Sequence, residues 1–103
     1  MVYRVSITQE AESQLRDLGV RDQRLVEAAV MTRLRGQPTT PTKAIKRLRP
    51  NPFAEFELRV GDLRVLYNVE GDEVVLLLVG RKVGNTLVVK GEVFRGHQSD
   101  SAE

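Results

Sequence analysis

Arg59, Arg64, Arg81 and Lys82 fall in the second half of this 103-residue chain, and Glu57 stands just ahead of them. Guanidinium forks match phosphate oxygens in pairs, so arginines gathered on one surface suit the binding of a phosphodiester. A carboxylate among them has two uses. With its pKa raised by burial, Glu57 would serve as a general base. Otherwise it is an ion-pair partner for Arg59 or Arg64. Farther upstream, Arg33, Arg35, Lys43, Lys46, Arg47 and Arg49 follow one another with no acid between them. A local positive field of this kind attracts phosphate backbones, which points to contact with nucleic acid or a ribosome. His97 has acid–base chemistry, but its Gly- and Ser-containing surroundings mark a mobile surface tail.

Composition narrows the remaining chemistry. Cysteine is absent, which excludes disulfides, thiolate nucleophiles and zinc–thiolate clusters. One histidine excludes a multi-histidine metal site. The formal charge of +2 hides an asymmetry: residues 1–50 carry ten basic and five acidic side chains, residues 51–103 six and nine. Apolar residues make up 41%, enough for one buried core. The longest apolar run, Val74 to Val79, is far short of the roughly 20 residues a membrane helix needs. The expectation is a small cytoplasmic protein with no metal or cofactor.

The elements that must position these side chains are legible in outline. Val2 to Ile7 reads as a strand. Thr8 is a candidate N-cap, with Glu10 and Glu12 where a helix dipole favours acids, and Ala11, Leu15 and Leu18 form one stripe. Gly19 separates this helix from a second over about Arg21 to Arg35. There Leu25, Val26, Ala29, Val30, Arg33 and Leu34 repeat as adjacent pairs, which predicts a buried face. All four prolines lie between residues 36 and 54, where Lys43 to Leu48 forms a turn or a short strand. Gly61-Asp62 and Gly71-Asp72 then divide three strands of a meander, and Thr86 to Val89 adds a short one. The fold class is α+β, with a helical hairpin on one face of an antiparallel sheet.

A two-residue loop at Gly61-Asp62 places Phe56, Leu58, Val60, Leu63, Val65 and Tyr67 on the face toward the helices. The other face receives Arg59 directly across from Arg64, a like-charge pair that needs an anion, Glu57 or solvent to offset it. Extending the register through Gly71-Asp72 pairs Leu66 with Leu77 and Arg64 with Val79. Arg81 and Lys82 would then join Arg59 and Arg64 at one rim. Leu66, Val75, Leu77 and Val79 would share that face, covered either by the C-terminal segment (Val88, Val89, Val93, Phe94) or by a partner protein.

The run from Phe56 to Tyr67, followed by Val74 to Val79 and Gly80-Arg81-Lys82, resembles the RelE/ParE family of toxin–antitoxin toxins. The strand and helical hairpin upstream, and Lys46-Arg47-Leu48, are similar to that family too. The resemblance covers about residues 1–85 and implies one domain of this kind over residues 1–95; the polar, small residues 96–103 read as a flexible tail. The resemblance also implies a cognate antitoxin as partner, with Leu66, Val75, Leu77 and Val79 as its contact. For a RelE-like toxin it implies ribosome-dependent mRNA cleavage, in which the 2′-hydroxyl attacks the adjacent phosphate and basic side chains stabilise the developing charge. Arg64 would then be the transition-state arginine, Lys82 or Arg81 the basic residue ending the last strand, and Arg59 an auxiliary phosphate contact. The basic segment from Arg33 to Arg49 would hold ribosomal RNA. Neither a membrane nor a small-molecule substrate is implied.

Two positions depart from the family pattern. The best-known members carry lysines on the strand before the arginine pair, where this chain has Glu55 and Glu57. A tyrosine expected after the last strand is replaced by Gly84-Asn85-Thr86-Leu87-Val88. These departures keep two alternatives open: a ParE-like, non-nucleolytic toxin that binds a protein such as gyrase, and an inactive partner-binding module.

Overall fold

Gly61 turns the chain with a left-handed backbone (φ +61°), which a residue without a Cβ adopts freely and which a tight loop requires. That loop fixes the central hairpin in the computed structural model, which describes residues 2–94. The elements run β1 (Arg4–Ile7), α1 (Gln9–Asp17), α2 (Val20–Arg33), β2 (Ile45–Arg47), β3 (Phe56–Val60), β4 (Leu63–Glu70), β5 (Glu73–Val83), β6 (Thr86–Val89) and β7 (Glu92–Val93). Six strands form an antiparallel path in the order β2-β3-β4-β5-β6-β7. β1 joins from outside that path, parallel to the first part of β5, while β6 pairs with its last part.

Local chemistry explains both helices. The Thr8 hydroxyl accepts a hydrogen bond from the Ala11 amide at 3.1 Å, closing the start of α1. In α2 the buried positions are Val26 and Val30, with Leu34 just beyond, one residue per turn. The paired pattern overstated this face: Leu25 and Arg33 point outward. The helices cover the face predicted for the central hairpin. Ala11, Val26, Val30 and Leu34 pack with Phe56, Leu58, Leu63, Val65 and Tyr67. Tyr67 stacks on Phe56 with ring centroids 5.4 Å apart, and its hydroxyl donates to the Pro38 carbonyl at 2.6 Å. Burial pushes that phenol far above its ordinary range.

The register of β3 with β4 is the predicted one, from Phe56 opposite Tyr67 to Val60 opposite Leu63. The β4–β5 register departs from expectation. Tyr67 pairs with Leu76, but Leu66 pairs with Leu78, so Leu77 is the extra residue of a β-bulge. Beyond it every side chain changes face. Arg64 lies opposite Gly80 and not Val79, and Val79 is buried beneath the helices.

Gln14 of α1 is tied to this irregularity. Its side chain is buried, and its Oε1 accepts from the Val79 amide at 2.9 Å, between the stretches of β5 paired with β1 and with β6. We expect Gln14→Leu to cost about 1–3 kcal/mol, because it leaves a buried amide unpaired. A lowered denaturant midpoint, with faster exchange at the Val79 amide, is the check. An unchanged midpoint would show that the bulge holds without it.

Candidate functional site

On the face away from the helices, Arg59 lies directly across from Arg64, and Lys46 of β2 lies across from Glu57. Glu57 is only 3% exposed. Its Oε1 accepts from Arg59 Nε at 3.3 Å and lies 4.0 Å from Arg64 Nε. One buried carboxylate therefore offsets the like-charged pair, and the geometry makes Glu57 an ion-pair partner. The Arg64 side chain is 14% exposed. Its Nη1 donates at 2.8 Å to the carbonyls of both Gly61 and Leu63, so the guanidinium folds back onto its own turn. Gly80, opposite, has no room for a side chain: a Cβ there would meet the Val88 carbonyl oxygen at 2.7 Å.

Arg81 is not part of this group. The bulge turns it toward the helices, where Nη2 meets Asp22 Oδ2 at 2.6 Å and Nη1 meets Asp62 Oδ2 at 2.7 Å. The expected convergence of three arginines is thus corrected to two. The hydrogen bond from Arg81 holds the Asp62 carboxyl below the usual carboxylate range, and Arg4 does the same for Asp72. A lowered folded-state pKa gives stability that is present at neutral pH and is lost as pH falls through that pKa. The double variant Asp62→Asn/Asp72→Asn should therefore melt below wild type at pH 7 and approach it at pH 3. Equal differences at both pH values would show that the bridges do not act through ionisation.

Lys82 follows the alternation back to the Arg64 face, opposite Leu87. Of the upstream cations, Lys43, Lys46 and Arg47 join Arg59 around an open concavity of about 610 Å³, with Pro41, Thr42 and Ile45. The Arg47 guanidinium sits 4.8 Å from the centre of the Phe56 ring. Arg33, Arg35 and Arg49 do not line this cleft. Arg33 belongs to the last turn of α2, and the Arg35 carbonyl accepts from the Tyr3 amide. His97 lies outside the described residues.

The apolar set expected to meet an antitoxin is divided. Leu66 is buried in a second cluster with Leu48, Ala54, Leu78 and Leu87, against which Leu77, Val89 and Phe94 pack. The chain thus covers much of this face itself. Val79 is on the opposite side, and Val75 and Leu77 are half-buried. Leu77 lines a groove of about 410 Å³ with Leu66, Leu78, Phe53 and Phe94, whose two rings meet edge to face. Sequence reasoning missed Leu78, because an unbroken apolar run does not reveal which of its members face which way. It also missed a smaller groove beside β1, lined by Val5, Ile7, Leu15, Val30 and Met31. Met31 lies off the Val26–Val30–Leu34 stripe, and that offset was the available signal.

A strand and two helices on a meander, with arginines facing each other across its first hairpin, can be compared with known proteins. A family model described as the ParE toxin of the type II toxin–antitoxin system parDE matches residues 5–83. The chain is similar to a solved structure of the RelBE2 toxin–antitoxin complex from Mycobacterium tuberculosis, with 27% identity and a TM-score of 0.69 over 80% of this chain and 100% of that one. It is also similar in fold to a chain of the archaeal RelE–RelB complex from Pyrococcus horikoshii OT3, with 24% identity and a TM-score of 0.64 over 82% of this chain and 98% of that one. No curated protein sequence gives a significant match. With the model spanning β1 through β5 and the same fold recurring in these complexes, the chain belongs to the RelE/ParE family of type II toxin–antitoxin toxins.

Proposed function

We propose that this toxin arrests growth by binding a protein target, in the manner of the ParE branch, and does not cleave mRNA. The observation that carries this reading is the state of the arginines. Arg64 spends its guanidinium on two backbone carbonyls and is shielded beside Glu57. Arg81 is held by two carboxylates on the opposite face. Stabilising a phosphorane-like charge needs donors already aimed at it, and these two are aimed elsewhere and apart. The Tyr67 phenol is buried and donates to the Pro38 carbonyl, so it is not presented to a substrate. A cognate antitoxin is the regulatory partner in this reading, since both similar structures are of toxin–antitoxin complexes.

The RelE-like reading keeps one specific support: Lys46, Arg59, Arg64 and Lys82 share a face. Induction in cells separates the two readings. The expected result is growth arrest with no codon-phased mRNA 5′ ends, with DNA breaks if gyrase is the target, and with arrest retained in Arg64→Ala. Codon-phased ends that disappear in Arg64→Ala would establish ribosome-dependent cleavage instead. An absence of growth arrest would leave only a partner-binding module.

A further inference from the structure

We propose that α2 pairs with the α2 of a second copy of this chain, antiparallel about a two-fold axis, through an outward stripe of Val20, Arg24, Glu27 and Met31. Their spacing of four, three and four residues is that of a helix–helix seam. It holds the four side chains within about a 60° arc, since an α-helix turns about 100° per residue. The stripe runs along the flank of the Val26–Val30–Leu34 stripe that the core takes. All four side chains are exposed, and two of them are large apolar groups, Val20 at 64% and Met31 at 53%. Arg24 and Glu27 form no hydrogen bond or ion pair through their side chains among the described residues, whereas Arg16 and Glu12, one turn apart on α1, do so at 3.0 Å.

The order of residues along the stripe points to a second copy as the occupant. It reads apolar, basic, acidic, apolar. Reversed against itself, it sets Val20 on the partner's Met31 and Arg24 on the partner's Glu27, and the two-fold axis repeats each pair. A parallel pairing would set arginine on arginine and glutamate on glutamate. An isologous interface needs a surface that complements itself, and this stripe does so in the antiparallel sense alone. Glu27 and Met31 also line the groove of about 240 Å³ beside β1, so a helix seated here covers apolar surface of Val5, Ile7 and Leu15 as well. Asp22, which holds Arg81, lies about half a turn around the helix from Arg24 and is left undisturbed. One helix of 14 residues offers a contact at the small end of specific interfaces, so the dimer is a weak one.

Sedimentation equilibrium of the full chain is the test, over about 10 µM to 1 mM because a contact of this size is weak. The mass should rise with concentration toward that of a dimer. Arg24→Glu and Glu27→Arg each set like charges together at both symmetric places, and each should weaken association about tenfold. Mixed in equal amounts, these two variants should associate as wild type does, because one chain then presents two acids and the other two bases. The double variant Arg24→Glu/Glu27→Arg should recover wild-type association for the same reason. Recovery in the mixture cannot arise from a folding defect in either variant. Met31→Asp should weaken association as well, by removing the apolar contact at each end. A monomer mass at every concentration, association unchanged in the single variants or in Met31→Asp, or a mixture no stronger than its components would each overturn the proposal. The readout is mass and not growth arrest, so this proposal and the functional one can fail separately.

Discussion

Replacing Glu57 by alanine is expected to lower the melting temperature by more than about 10 °C, the equivalent of about 3 kcal/mol in a domain of this size. The carboxylate is 3% exposed and faces two arginines. Most of the loss comes from the Arg64 side. That guanidinium is shielded, its Nε has no hydrogen bond, and Glu57 is the anion beside it. Arg59, at 44% exposure, is screened by solvent and adds little. Without Glu57, two like charges face each other across the hairpin. Glu57→Ala in an Arg64→Ala background separates the causes: the second substitution should restore much of the lost stability, because it removes the stranded cation. Thermal melts of the four proteins measure this. Additive losses would show that Glu57 acts through some other contact.

The second large effect belongs to Phe56. Phe56→Ala is expected to cost about 3–5 kcal/mol, the range for emptying an aromatic position in a closed core. One face of the ring stacks on Tyr67 and the Arg47 guanidinium lies over it, so the truncation disturbs core and edge together. Phe56→Leu retains most of the volume and should fold at a smaller cost, while removing the platform under Arg47. Denaturant midpoints for both variants supply the check. A Phe56→Ala protein as stable as wild type would mean that the core closes around the gap.

The contrast between the two hairpins shows what a single sequence carries. Phe56 to Tyr67 alternates cleanly around a glycine turn, so polarity and loop length specify one register, and Arg59 opposite Arg64 follows. Val74 to Val79 offers no polar residue to mark a face, so a bulge at Leu77 leaves no trace in the pattern. Its effect is large, because it moves Val79 and Arg81 to the other side of the sheet. The residue tied to it, Gln14, is remote in sequence and reads as an ordinary polar helical position. The basic segment was legible as charge but not as shape. Lys43, Lys46 and Arg47 share a concavity, while Arg33, Arg35 and Arg49 lie outside it, a division set by the path of a proline-rich loop. The parallel placement of β1 on β5 had no sequence signal either, since a short amphipathic strand does not name its neighbour.

That placement has a consequence for synthesis. Arg4 to Ile7 find their ladder in Glu73 to Leu76, far along the sequence from them. Emerging from a ribosome, the first strand must wait until β5 has been made before its long-range pairing can form, and such late contacts slow folding. A chain interrupted before β5 has neither the centre of its sheet nor a seat for its opening strand, so the sheet closes only once β5 has been made.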